Sequence, residues 1–122
     1  IPQIMVLANI TRFHNAVTSA AGMRRMLQLC RDYACRRTVH GRPLIEDALH
    51  VHTLARLEVE TRGATALILQ LALLLGRAEV PRSPEDAAQA AALLRILTPL
   101  AKLLTARQAV DVASEGVEAF GG

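Results

Sequence analysis

Inside this chain, helix-breaking residues come in close pairs at only two places, Gly41 with Pro43 and Pro81 with Pro84. Between the breaks, apolar side chains recur every three or four positions. The pattern predicts three long helices and no strand. The first is expected from about Thr11 to Thr38, with Phe13, Val17, Ala20, Met23, Leu27, Cys30 and Ala34 on one face and Asn15, Ser19, Arg25, Gln28, Asp32 and Arg36 over much of the other. The second should begin near Leu44, just after Pro43, and stop near Gly76. Ser83-Pro84-Glu85-Asp86 opens the third, with a Ser cap, Pro at the first helical position and two acids facing the helix dipole. It continues to about Ala119, through Pro99, which removes one backbone N–H. The expected fold is all-α: one domain over residues 1–122, an antiparallel bundle with helices at about 11–38, 44–76 and 84–119.

The second helix raises a problem of cover. Ala64 to Leu75 is apolar nearly all the way round, yet shorter than the roughly 20 residues needed to span a bilayer, so protein should bury it. Two neighbouring helices cannot enclose a third on every side. The remaining cover is expected from outside this chain, either a dimer partner or more of the same polypeptide. A chain that opens on Ile also reads as an excised fragment.

With 52% hydrophobic residues there is material for one core. The net charge of +3 permits nucleic-acid or membrane contact without demanding it. One Tyr and two Phe are little for stacking bases, which leaves nucleic-acid binding a weak expectation. Arg carries the basic charge, since Lys102 is the only lysine. Cys30 and Cys35 stand about 140° apart around a helix axis, too divergent to bridge, which suggests a reducing, intracellular compartment, cytoplasmic or mitochondrial. Ile1 to Ile10 is apolar but lacks the basic start and cleavage pattern of a secretory signal.

Most candidate sites reduce to surface chemistry. His50 and His52 are two apart and point about 200° away from each other, so a shared metal is not expected. His14 is isolated, and Glu58 and Glu60 diverge in the same way. No phosphate-loop, nucleophile-elbow or CxxC pattern occurs. The exception is the first corner, where Arg31, Arg36, Arg37 and Arg42 gather. The planar guanidinium fork suits phosphate oxygens, so a nucleotide cofactor is the first ligand to test.

Arg37-x-x-His40-Gly41-Arg42-Pro43-Leu44 resembles the R-x-x-F-G-K-P-L signature in the C-terminal helical domain of acyl-CoA dehydrogenases. Thr11-Arg12-Phe13, Ala21-Gly22-Met23-Arg24-Arg25, Thr98-Pro99-Leu100-Ala101-Lys102 and Glu118-Ala119-Phe120-Gly121-Gly122 extend the likeness over nearly the whole chain. The details look most like the branch that includes bacterial DNA-alkylation-response proteins. The resemblance implies a helical bundle lacking its last helices, drawn from an FAD-dependent oxidoreductase that desaturates acyl-CoA and works as a homodimer or homotetramer. It implies that Arg37 reaches across a subunit interface to the FAD diphosphate and that His40, after which Gly41 turns the chain, packs against the cofactor. Glu118, Gly121 and Gly122 would approach the adenylate end.

Beyond Arg42 in place of Lys, three positions depart from the family pattern. His40 replaces Phe, Glu118 replaces a Gln that could donate, and Ala48 stands where some members place a cofactor-binding Gln. The family's catalytic Glu usually follows the Gly-Gly segment, or in a minority sits near the start of helix one, where this chain has Thr11-Arg12. No catalytic residue is therefore expected within residues 1–122, and the isolated chain is expected to be inert. The competing expectation is a non-catalytic interaction module that binds a protein partner or DNA.

Overall fold

The computed structural model describes residues 2–121. Three long helices, α1 (Pro2–Arg36), α2 (Ala48–Glu79) and α3 (Pro84–Ala119), pack together as the all-α reading requires. Consecutive helices run antiparallel, which leaves α1 and α3 parallel. One end of the bundle therefore collects the end of α1, the start of α2 and the end of α3.

The helix boundaries differ from expectation at the first corner and at both of its flanking helices. α1 starts at Pro2 rather than Thr11, because Ile4 to Ile10 contains no breaker and Pro is tolerated in a first turn. Thr11 does not cap. Its hydroxyl donates to the Leu7 carbonyl at 2.9 Å, the back-bond of a residue already inside a helix. At its other end α1 stops at Arg36, and a short strand pair forms that the sequence reading lacked. Here β1 (Thr38–Val39) pairs antiparallel with β2 (Arg42–Pro43), Thr38 opposite Pro43 and Val39 opposite Arg42.

The two residues between the strands, His40 and Gly41, have φ of 50° and 79°. Positive φ at both positions is the two-residue hairpin geometry that matches strand twist. A 3-10 turn, Leu44–Glu46, follows, so α2 begins at Ala48 and not at Leu44. Pro43 is extended and cannot be the first helical residue. Asp47 is the true cap, accepting the His50 N–H at 2.8 Å. α2 also runs past Gly76 to Glu79, because Gly76 keeps a helical conformation and its carbonyl accepts the Val80 N–H at 2.9 Å. Ser83 caps α3 by accepting the Asp86 N–H at 3.2 Å, and α3 continues through Pro99.

The buried face of α1 reads Ala16, Ala20, Met23, Leu27, Cys30, Ala34, alternating steps of four and three. Counting back along that seam from Ala20 reaches Ala16 and then the partly buried Phe13, so Val17, expected inside, faces outward. Leu57, Ala64, Ile68 and Val112 complete the main cluster. Leu71, Leu74, Ala90 and Ala101 form a second toward the α2–α3 turn, and Cys30, Ala34 and Leu54 a third under the corner. Gly116 of α3 lies against Met26, and the Cys30 thiol donates to the Gly116 carbonyl at 3.7 Å. Burial raises the Cys30 thiol above its usual pKa.

Much apolar surface stays uncovered, including Leu69 and Leu73 in the stretch expected to need outside protein. Among the described residues α2 and α3 are each long and apolar enough to cross a membrane by length and composition. The run Ala64 to Leu75 thus belongs to a longer apolar helix than its own extent suggests.

Candidate functional site

The corner between α1 and α2 is built by backbone hydrogen bonds. The Arg37 N–H closes the last turn on the Tyr33 carbonyl at 2.8 Å, and the Arg37 carbonyl accepts the Leu44 N–H at 2.7 Å. Arg37 is therefore pinned on both sides while its side chain is exposed. The four arginines expected there divide into two kinds. Arg36 pairs with Asp32 at 2.8 Å and Arg31 with Glu58 at 3.3 Å. Among the described residues Arg37 and Arg42 have no carboxylate partner.

The end of α3 comes to the same place. Phe120 packs against Tyr33 in a tilted pair with ring centroids 4.8 Å apart, and Ala119 packs on the Cys30, Ala34 and Leu54 cluster. Gly121 then turns the chain at φ 103°, its N–H donating to the Glu118 carbonyl at 2.9 Å. Glu118 and Gly121 are exposed. Gly122 lies outside the described residues.

The fold thus brings Arg37, His40, Gly41, Glu118 and Gly121 to one end of the bundle, though not into one cavity. A hollow of about 300 Å³ under the hairpin is lined by His40 and Arg42, with Glu46 and Asp47 on its other wall, and Arg37 stands outside it. His50 Nε2, in the first turn of α2, is buried without a hydrogen-bond partner. His50 does not join His52, and no group of three metal-ligating side chains forms among the described residues.

The chemistry fits a diphosphate better than a redox ring. Two unpaired guanidinium forks and two left-handed glycine turns at exposed backbone can hold phosphate oxygens and allow close approach. The aromatic rings at this end, Tyr33 and Phe120, pack on each other. Several described carboxylates are engaged elsewhere, Asp47 as a cap, Asp32 on Arg36, Glu58 and Asp86 between arginines, Glu115 on Arg56 and Glu60 on Gln108, while Glu46 lines the hollow under the hairpin.

Sequence reasoning missed a groove of about 630 Å³ between α1 and α2, lined by Arg24, Arg31 and Arg62. Its signal was available in the spacing: Arg24, Gln28 and Arg31 share one face of α1, and Glu58 and Arg62 one face of α2.

The sequence profile of the acyl-CoA dehydrogenase C-terminal domain matches residues 1–122. Acyl-CoA dehydrogenase family member 11 of Caenorhabditis elegans is 46% identical over 116 residues, covering 95% of this chain and 18% of that protein. The putative acyl-CoA dehydrogenase AidB of Escherichia coli K12 is 35% identical over 119 residues, covering 98% of this chain and 21% of that protein. The crystal structure of Caenorhabditis elegans ACDH-11 in complex with C11-CoA superposes with a TM-score of 0.86 at 46% identity, over 93% of this chain and 19% of that one. The chain therefore spans about a fifth of the length of these relatives.

Proposed function

The chain belongs to the family of acyl-CoA dehydrogenase C-terminal domains, and from that premise we propose that it is the helical domain of an FAD-dependent acyl-CoA oxidoreductase. In this reading it contributes the diphosphate and adenylate contacts of an FAD site and part of an oligomer interface. The observation that carries the reading is the pair of guanidinium groups, Arg37 and Arg42, left without carboxylates at the end where Gly121 turns the chain. Such forks are expected to find an anion.

Arg37 holds diphosphate oxygens, its backbone fixed by Tyr33 and Leu44 so that little ordering is lost on binding. His40 presents a ring at the hairpin tip, and Gly121 lets the backbone approach the adenylate. FAD, when bound, supplies the hydride acceptor. Acyl-CoA is the substrate class, by analogy with the relative crystallised with C11-CoA.

The isolated chain is inert in this account, which places the proton-abstracting carboxylate of the acyl-CoA reaction in another part of the intact protein. The exposed apolar residues of α3, Ile96, Leu100, Leu103 and Val110, follow steps of four, three and seven, the spacing of a seam that packs on another helix. That seam supports burial in a dimer or tetramer.

The test is FAD titration of the intact protein. Arg37→Ala should weaken FAD binding by about tenfold or more, and Arg37→Lys, which keeps charge but loses the fork, by less. Unchanged affinity in Arg37→Ala would contradict the assignment. Mixing the isolated chain with FAD and an acyl-CoA should leave the flavin absorbance unbleached.

A further inference from the structure

The groove between α1 and α2 begins near the corner at Arg31 and runs away from it to Arg24. Arg24 precedes Arg37 by thirteen positions, about 20 Å along the helix axis. Its rim carries three guanidinium groups and one carboxylate. Glu58 sits between two of them, Arg31 Nη1 at 3.3 Å from one carboxylate oxygen and Arg62 Nε bonded to the other. Arg24, two helical turns from Arg31, has no carboxylate partner among the described residues. Two positive charges are therefore left over. Gln28 uses its carbonyl oxygen to accept from Arg25 at 3.1 Å, which leaves its amide N–H groups to donate into the groove.

The remaining surface is of another kind. Thr61 and Thr65 donate their hydroxyls to the carbonyls of Leu57 and Thr61, so those walls offer no free donor. Leu27 supplies an apolar floor, and the exposed Ala66 and Leu69 an apolar edge. A volume of about 630 Å³ suits a small molecule and is too small for a folded partner.

We propose that this groove binds a small organic phosphate, its dianionic head held by Arg24, Arg31 and Arg62 with Gln28, and its apolar body lying over Leu27, Ala66 and Leu69. A phosphomonoester carries close to two negative charges at neutral pH, matching the excess on the rim. Phosphate oxygens also accept several guanidinium N–H bonds at once. The site does not depend on the cofactor reading of the corner.

Isothermal titration of the intact protein with phenyl phosphate at low ionic strength tests it. Saturable binding is expected, weakened about tenfold or more in Arg24→Gln and in Arg62→Gln, and less in Arg24→Lys. Inorganic phosphate should bind more weakly than phenyl phosphate, because it leaves the apolar surface uncovered. Far-UV circular dichroism of each variant should match the parent, since the arginines are exposed or sit at the rim. Absence of saturable binding, equal affinity in folded Arg24→Gln and Arg62→Gln, or loss confined to Arg37→Ala would each overturn the proposal.

Discussion

Gly41 has open space where a Cβ would lie, so its side-chain hydrogen answers to backbone conformation and not to crowding. With φ of 79°, an L side chain there is strained by about 1–2 kcal/mol, and Gly41→Val should lower the denaturation midpoint accordingly. His40→Asn, which suits the same left-handed region, should cost little or nothing. Asp86 offers a second test. Its carboxyl is held below the ordinary value of 3.8, chiefly by the hydrogen bond from Arg77 and then by the Arg82 N–H. A group whose folded pKa is depressed stabilises the fold above its unfolded pKa and loses that contribution as pH falls through the folded one. Asp86→Asn should therefore be less stable than the parent at neutral pH, and the gap should close well below 3.8 in denaturant unfolding. A gap that persists in acid would show that the carboxylate charge is not what matters.

Among the elements, α1 and α3 meet where Gly116 admits Met26, a Cβ on Gly116 falling within contact distance of two Met26 side-chain atoms. Gly116→Val should cost about 1–3 kcal/mol, and pairing it with Met26→Ala should cost less than the two single changes summed. Strict additivity in a double-mutant cycle would contradict the packing. The number and type of helices were legible because their periods are long, and Ser83-Pro84-Glu85-Asp86 marks the start of α3 by side-chain chemistry that needs no tertiary context. Gly76 misled because a glycine without positive φ is simply a poor helix former that packing overrides. The corner misled because Pro43 looked like a helix start, while the local signal lay four residues on, at Asp47. Arg37, His40 and Gly41 could be placed together on the corner from sequence. That Phe120 would rest on Tyr33, bringing Glu118 and Gly121 to the same end, follows from three helices of matched length, which no local pattern prints.

At the scale of the whole molecule, the described surface carries apolar rows along the start of α1 and the middle of α3. Ile4 and Leu7 are 68% and 64% exposed, and Ile96 and Val110 are 62% and 68% exposed. Rows of that extent mark contact surfaces. The isolated chain should therefore associate as its concentration rises, seen as a mass increase in analytical ultracentrifugation. Ile96→Glu with Leu103→Glu on the α3 seam should shift the distribution toward monomer. The central claim is that Arg37 serves an FAD held in the intact assembly. Its most direct test is the structure of the intact protein with FAD bound. The account predicts an Arg37 guanidinium nitrogen at about 2.7–2.9 Å from an FAD diphosphate oxygen. A cofactor bound with its diphosphate held by other residues, and Arg37 turned to solvent, would contradict it.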